Sequence, residues 1–319
     1  MSTRAVTTVR LVQEHSILVL IALLVALAGL IEIIRPGAVN ANWVSNILEF
    51  AAPLGILAAG QTLVVITGGI DLSVANVATA AAYIMASQAP YGVTRGIVLG
   101  LLVGVAVGLV NGVGVAVFRV QPLIMTLAMG LVVTGSLNVY SQAAIRSVPG
   151  VPAVIHAMGS ATVLGYVPVS LFLWAPLAAL LIVGLRSTGF GRLLYAVGDN
   201  LEATRLAGVR GWQVLLANYA ACGFLSAVAG LVLAGTVNAA DLSLANILLL
   251  PSVAAVVIGG TSIFGGSGTY SGTVVGALIL TVLNSVLTLL DVPDAVKQIL
   301  YGAIIVLLAA AYTRVLSPE

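Results

Sequence analysis

The sequence predicts an all-α, polytopic membrane protein, a single bundle of about ten transmembrane helices with some broken or re-entrant segments. The first reason is composition, since 61% of the 319 residues are hydrophobic and 7% are charged. Soluble domains carry about 25% charged residues, far more than this chain supplies for a wet surface. The mean hydropathy of +1.18 points the same way. The other two reasons are the spacing of the apolar runs and the distribution of the arginines.

Apolar windows of about 17–25 residues, the length that crosses a bilayer, recur along the chain. They lie at 16–34, 46–67, 72–89, 96–118, 122–142, 169–186, 213–236, 249–263, 272–291 and 297–313. The third and eighth windows are short. No small-residue cleavage site follows the first window, which predicts an uncleaved span. We assign residues 1–319 to one transmembrane domain.

The basic residues predict the orientation of the bundle, because cytoplasmic loops are enriched in Lys and Arg. An even number of spans places both termini on one side. With that side inside, the cytoplasmic basic residues are Arg4, Arg10, Arg119, Arg186, Arg192, Arg205, Arg210 and Arg314. The external ones are Arg35, Arg95, Arg146 and Lys297. Eight against four predicts an N-in and C-in topology.

Glycines at four-residue spacing predict closely packed helices. One window carries Gly96, Gly100, Gly104, Gly108 and Gly112, and a later one repeats the pattern at Gly268, Gly272 and Gly276. Such stripes let a neighbouring backbone approach closely. Close packing is the favoured interpretation, and a sliding interface is the alternative.

Two Gly-Gly breaks interrupt the apolar pattern, in VVITGGIDLSV (64–74) and VVIGGTSIFGGSGT (256–269). Broken helices indicate a transport pathway. Asp71 is the only acid predicted beside a break at membrane depth, which favours a role in passage or gating. The more favoured alternative is that it caps the following helix. The predicted pathway or gating residues are Gly68, Gly69, Asp71, Asn111, Gly259, Gly260 and Asn284.

The motifs of catalysis are missing from the sequence. Ser267 lies in a GGSG turn, but His15 and His156 both precede it, so it lacks the later His that a rhomboid-type serine would need. The single lysine, Lys297, follows no phosphate-binding glycine loop, and the single Cys222 excludes a cysteine metal cluster. We therefore expect no catalysis, no bound metal or cofactor, no ATP hydrolysis by this chain and no nucleic-acid binding.

The polar segment 186–210, RSTGFGRLLYAVGDNLEATRLAGVR, stands alone among apolar windows. Asp199 or Asn200 can cap a helix of about two turns that begins near Leu201. Glu202 and Arg205 match the helix dipole and form an i,i+3 pair, and Gly208 suits the stop. The segment predicts a helical docking loop, with a solvated, positive-inside loop as the alternative.

Within this segment, GRLLYAVGDNLEATRLAG is similar to the cytoplasmic loop of ABC importer permeases of the ribose and monosaccharide class. The segments GGIDLSV and VVIGGTSIFGGSGTYSGTVVGALI resemble the same family, in the same order, between about residues 51 and 314. The chain departs from the family pattern at Asp199, where glycine is common, and at Thr204, where alanine is common. It also has Leu249, Leu250 and Pro251 where the family often has an acidic stretch.

The resemblance implies a non-catalytic permease subunit that imports a monosaccharide or a similar neutral polar solute across the bacterial cytoplasmic (inner) membrane. It makes the loop at about 187–212 the element that couples to an ATP-binding subunit. The residues assigned to that coupling are Asp199, Asn200, Glu202, Ala203, Arg205, Leu206 and Gly208.

The implied partners are a pair of ATP-binding subunits carrying ATP and magnesium, a periplasmic or extracellular solute-binding protein, and a second permease copy, identical or different. Membrane lipid surrounds the assembly. Two alternatives stay open: a nucleoside or quorum-signal permease of the same family, and an ion-coupled secondary transporter that uses Asp71.

Overall fold

The computed structural model describes residues 16–144 and 150–316, which are almost entirely helical. The helices are α1 (Ser16–Ile34), α2 (Ala41–Ile66), α3 (Val74–Gln88), α4 (Val93–Ala116), α5 (Pro122–Ala144), α6 (Ala153–Ser160), α7 (Val169–Ser187), α8 (Gly189–Asp199), α9 (Leu201–Leu206), α10 (Gly211–Val237), α11 (Leu249–Ile258), α12 (Tyr270–Leu289) and α13 (Asp294–Leu316). Single 3-10 turns lie at Ala89–Tyr91 and Asn246–Leu248. Between α6 and α7, β1 (Thr162–Val163) pairs antiparallel with β2 (Val167–Pro168).

Seven of the described helices are long and apolar enough to cross a membrane: α1, α2, α4, α5, α7, α10 and α12. The chain is thus an all-α, polytopic membrane protein. The windows predicted at 72–89, 249–263 and 297–313 correspond to α3, α11 and α13, which are outside this set. With 15 and 10 residues, α3 and α11 are shorter than a bilayer crossing requires.

The core forms around α2 and α10, which are the most buried of the long helices. Helix α10 packs against α2, α3 and α4, while α12 packs against α1, α2 and α11. A Cβ built on Gly60 of α2 would lie 3.1 Å from the carbonyl oxygen of Cys222 in α10. The two central helices therefore approach each other nearly backbone to backbone.

The glycine stripe of α4 faces two helices in turn. A Cβ on Gly100 would lie 2.7 Å from the carbonyl oxygen of Ala81 in α3. On Gly104 or Gly108 it would overlap the carbonyl oxygens of Gly223 or Tyr219 in α10. The stripe thus leaves no room for any side chain.

The later glycine repeat seats α12 against α11. A Cβ on Gly272 would overlap the carbonyl oxygen of Gly259, and one on Gly276 would overlap that of Ala255. Gly259, a predicted pathway residue, therefore lies in a tight helix contact, where its own Cβ would meet the Gly272 backbone.

The two ends of α10 define two faces of the bundle. Its first residue, Gly211, lies beside α9, where a Cβ on that glycine would be 2.8 Å from Leu201 Cδ1. Near its last turn, Gly235 packs against α6, where its Cβ would overlap the carbonyl oxygen of Ile155. We call the end that carries α8 and α9 the loop face, and the end that carries α6 the opposite face. Helix α6 lies in the connection between α5 and α7.

Candidate functional site

The polar segment folds into two helices where the sequence predicts one. Its second helix, α9, begins at Leu201 as predicted, and the Asn200 Oδ1 caps it by accepting from the Ala203 N–H at 2.9 Å. The additional helix, α8, is capped by Thr188, whose Oγ1 accepts from the Gly191 N–H at 3.1 Å. A Thr-x-x-Gly start is a weak signal in sequence, which is why α8 was missed.

Helix α9 ends in a Schellman motif at Gly208, where φ is +83°. The Gly208 N–H donates to the Arg205 carbonyl oxygen at 2.9 Å, and the Val209 N–H donates to that of Thr204 at 3.2 Å. Only glycine adopts this left-handed conformation without steric cost. The predicted helix stop at Gly208 is therefore a tight reversal that leads directly into α10.

The outer surface of α9 is open to a partner. Glu202 Oε2 and Arg205 Nη1 are 3.8 Å apart, and their side chains are 69% and 66% exposed, so the pair contributes little to stability. Leu206 is 81% exposed and Leu201 is 48% exposed. The surface of α9 thus presents two exposed leucines beside an exposed ion pair.

Thr204 ties the two loop helices together. It is buried, and its Oγ1 donates to the Ala196 carbonyl oxygen at 2.8 Å or to that of Asn200 at 2.7 Å. This residue was noted in sequence only as a departure from a pattern. Its hydroxyl makes α8 and α9 one unit.

The last turn of α8 lies in contact with the end of α2 and with the loop before α12. A Cβ on Gly198 would overlap the carbonyl oxygen of Ile66, the last residue of α2, and would lie 2.7 Å from the Gly266 nitrogen. That Gly266 N–H donates to the same Ile66 oxygen at 2.9 Å. The polar loop, the end of α2 and the loop before α12 therefore meet at backbone distance.

Further glycines complete this meeting point. Gly265, with φ at +88°, would place a Cβ 2.7 Å from the Gly198 carbonyl oxygen and 2.9 Å from the Gly68 nitrogen. The Tyr195 hydroxyl of α8 donates to the Gly268 carbonyl oxygen at 2.8 Å. Burial raises the pKa of Tyr195, which keeps its hydroxyl protonated as a donor. We call Gly68, Gly198, Gly265, Gly266 and Gly268 the glycine junction.

Asp71 lies just beyond the junction in a buried polar cluster and is 1% exposed. Its Oδ1 accepts from the Ser73 N–H at 2.8 Å and from the Ser73 hydroxyl at 2.6 Å, immediately before α3. This is an Asx turn that precedes α3. The N-cap of α3 is Ser73, whose side chain makes no capping bond, so the interpretation that Asp71 itself caps the helix is wrong. The Gln61 side chain makes two hydrogen bonds with the backbone of Asp71. Its Nε2 donates to the Asp71 carbonyl oxygen at 3.2 Å, and its Oε1 accepts from the Asp71 N–H at 3.2 Å.

The second oxygen of Asp71 faces two other helices. Asn111 Nδ2 of α4 lies 3.5 Å from Asp71 Oδ2 and donates to the Ser73 hydroxyl at 2.9 Å. Cys222 Sγ of α10 lies 3.7 Å from Asp71 Oδ2. Asp71 and Asn111 thus belong to one cluster. Gly69, two residues before Asp71, lies against Tyr219, because a Cβ at Gly69 would be 2.7 Å from the Tyr219 hydroxyl oxygen.

The remaining pathway candidates lie elsewhere. Asn284 is exposed on α12, where its carbonyl oxygen accepts from the Thr288 hydroxyl at 2.7 Å, and it has no bond to the Asp71 cluster. Gly260 is exposed with φ at +83° in the turn after α11. Within residues 16–144 and 150–316, no group of three or more His, Cys, Asp or Glu side chains is placed to hold a metal ion.

Comparison with known proteins decides the family. The model of a family described as branched-chain amino acid transport system / permease component matches residues 43–309. The chain belongs to this permease family. Because that match spans all the segments of the glycine junction, the junction is part of the family domain.

Several named relatives of the permease family are similar over nearly the full chain. The ribose import permease protein of Escherichia coli strain K12 is 35% identical, covering 91% of each chain. That of Bacillus subtilis is 34% identical, covering 89% of this chain and 88% of the relative. The fructose import permease protein of Rhizobium meliloti is 33% identical, covering 91% and 83%. No solved structure matches.

Proposed function

We propose that this chain is the membrane-spanning subunit of an ATP-driven importer and that it carries a monosaccharide across the cytoplasmic membrane. The observation that carries the proposal is the glycine junction, where Gly198 of the exposed loop touches both Ile66 and Gly266. Gly198 belongs to α8, which the Thr204 hydroxyl ties to α9, so a displacement of α9 that moves α8 reaches the end of α2 and the loop before α12 through backbone contacts. Close-packed backbones transmit such displacements because they compress little.

The proposed partner at the loop face is an ATP-binding subunit. Exposed Leu201 and Leu206, flanked by the exposed Glu202 and Arg205, offer an apolar centre with a charged rim. That arrangement is typical of protein interfaces. In the proposed assembly two ATP-binding subunits hold ATP and magnesium, so this chain binds no cofactor. A second permease copy and an external solute-binding protein complete it.

The proposed topology has ten membrane segments with both termini in the cytoplasm. Arg119 and Arg205 line one pocket and therefore share the loop face. Arg35 lies before α2 and Arg95 lies in the first turn of α4, and both helices run from the opposite face toward the loop face. The positions of these four residues support the proposed orientation, because the positive-inside rule favours basic residues on the cytoplasmic side. Short α3 and α11 fit as re-entrant or partly spanning segments inside the bundle.

A sugar is the preferred solute because the named relatives are ribose and fructose import permeases. The buried polar groups Gln61, Thr62, Asn111 and Asn218 are uncharged, as suits a neutral polar solute. The family description names branched-chain amino acids, and a nucleoside or quorum signal would also present neutral polar groups. These solutes are the alternatives.

The proposal is tested with the complete complex in proteoliposomes. The chain should co-purify with an ATP-binding subunit, and labelled ribose or fructose should accumulate only with ATP and the solute-binding protein. Uptake that persists without ATP, and that an uncoupler or Asp71→Asn abolishes, would replace the proposal with the ion-coupled alternative.

A further inference from the structure

A pocket of about 980 Å³ opens on the loop face between the α4–α5 connection and the α9–α10 connection. Three arginines line it: Arg119, Arg205 and Arg210. The backbone on either side of Arg119 is fixed to the end of α4, where the Phe118 N–H donates to the Val113 carbonyl oxygen at 3.2 Å and the Val120 N–H donates to that of Gly114 at 3.0 Å. The pocket is therefore a fixed concave surface with basic walls.

The charges in this pocket are not balanced. Glu202 is the only acidic residue in the lining, and it pairs with Arg205. Arg119 and Arg210 have no ion-pair partner among the described residues. The positive N-terminal end of α5, at Gln121 and Pro122, also borders the pocket. Two unpaired guanidinium groups and a helix N-terminus together favour an anion with several oxygens.

A second, apolar groove of about 340 Å³ lies between α4 and α5. Val120 lines both cavities, so the groove and the basic pocket are neighbours. Gly114 forms part of the groove, and Val110 and Phe118 on its wall are 48% and 74% exposed. Both helices are long and apolar enough to cross the membrane, and every residue that lines the groove is apolar or glycine. Trp212 lines the basic pocket, is 46% exposed, and belongs to the residue type enriched at the membrane–water interface.

We propose that the pocket and groove form a binding site for one anionic phospholipid. Arg119 and Arg210 bind the phosphate headgroup, and an acyl chain lies in the groove beside Val110 and Phe118. A soluble anion would match the arginines but would leave the groove empty. A cytoplasmic protein segment would match the charges but would not reach hydrocarbon depth. A phospholipid has both an anionic headgroup for the arginines and an acyl chain for the groove.

The site adjoins the coupling surface, because Leu201, Glu202 and Arg205 of α9 form one wall of the pocket. A bound headgroup attracts the guanidinium of Arg205 and so stabilises α9 in its place. The lipid is thereby a structural ligand of the coupling loop, and its loss makes α9 more mobile relative to α10.

Native mass spectrometry of the full-length chain in mild detergent tests the site, with palmitoyl-oleoyl phosphatidylglycerol and phosphatidylcholine as probes. We expect one retained phosphatidylglycerol per chain and preference over phosphatidylcholine. Arg119→Gln with Arg210→Gln should weaken retention about thirtyfold, since each arginine near a membrane surface adds about 1 kcal/mol. The control double variant is Arg35→Gln with Arg95→Gln, on the opposite face, which should retain lipid normally.

The groove has its own matched pair of variants. Val110→Trp fills the groove, while Val98→Trp places the same side chain on the same helix away from it, and the two valines are 48% and 47% exposed. Only Val110→Trp should reduce retention. Thermal unfolding in detergent checks that each variant is folded, and a misfolded double glutamine variant is replaced by Arg210→Gln alone.

Three results would overturn the proposal. The first is equal retention of phosphatidylglycerol and phosphatidylcholine, or no effect of the arginine substitutions. The second is displacement of the lipid by equimolar glycerol 3-phosphate, which would make the site one for a soluble anion. The third is that the variant with Arg119→Gln and Arg210→Gln keeps the lipid but no longer co-purifies with an ATP-binding subunit. That result would assign the pocket to a protein partner.

Discussion

The amide of Gly266 donates a 2.9 Å hydrogen bond to the carbonyl oxygen of Ile66, across 200 residues of chain. Ile66 ends α2, and Gly266 lies in the turn before α12. Gly198 of α8 covers this bond so closely that its own Cβ would overlap the same oxygen. Three segments that lie far apart in sequence therefore meet at one carbonyl group.

Gly198→Ala should uncouple the loop from the bundle. The added methyl group overlaps backbone that cannot rotate away, and such overpacking costs about 1–3 kcal/mol. We expect fewer solute molecules imported per ATP hydrolysed, together with a lower unfolding temperature, measured in proteoliposomes and in detergent. Gly184→Ala is the control, because a Cβ at that position of α7 has no atom within 4 Å. Equal transport by the two variants would contradict the role of the junction.

Leu206→Asp should weaken attachment of the ATP-binding subunit. A leucine buried at an interface contributes about 1.5–3 kcal/mol, so the dissociation constant should rise on the order of tenfold or more. Quantitative pull-down of that subunit provides the measurement. Leu164→Asp, at a residue 87% exposed in the β1–β2 turn on the opposite face, should leave binding unchanged. A similar affinity for both variants would place the contact elsewhere.

Asp71→Asn should retain ATP-driven uptake, whereas Asp71→Leu should not. The asparagine Oδ1 can still accept from the Ser73 N–H and hydroxyl, so the turn before α3 survives. Leucine leaves these buried donors unpaired, at a cost of about 1–3 kcal/mol. Uptake assays and thermal unfolding of both variants check this. Loss of uptake in a stable Asp71→Asn protein would show that the charge itself is needed.

Gly104→Leu should prevent assembly of α4 with α10, because even a Cβ overlaps the Gly223 carbonyl oxygen. We expect less folded protein in the membrane fraction. Size-exclusion chromatography in detergent measures this loss. Gly135→Leu on α5 is the control, since nothing lies within 4 Å of its Cβ position. Normal yield of Gly104→Leu would refute the close contact.

The sequence predicts the local features of the fold well. The α9 cap at Asn200, the pair Glu202–Arg205 and the stop at Gly208 depend on residues within one or two turns, and all appear as expected. Long apolar windows likewise become helices. The short window at 72–89 likewise matches α3, whereas the window at 249–263 continues past the end of α11 because the apolar pattern runs on beyond the turn at Gly259 and Gly260.

Contacts between distant segments were beyond the reach of sequence patterns. Gly198 lies in a run that reads as an ordinary polar loop, and nothing local indicates that Ile66 and Gly266 exclude its side chain. The predicted gating set shows the same limit. It joined Asn284 to Asp71 by polarity alone, whereas Asn284 is exposed on α12.

The short stretch from Gly68 to Ser73 belongs both to the glycine junction and to the buried cluster around Asp71. Any rearrangement of that stretch is shared by the two sites, and thermodynamic linkage then acts in both directions. If binding of an ATP-binding subunit at the loop alters the affinity for a solute at the cluster by some factor, the solute must alter the affinity for that subunit by the same factor. We therefore expect a solute bound at the Asp71 cluster to act on the loop face through residues 68–73, just as the loop face acts on the cluster.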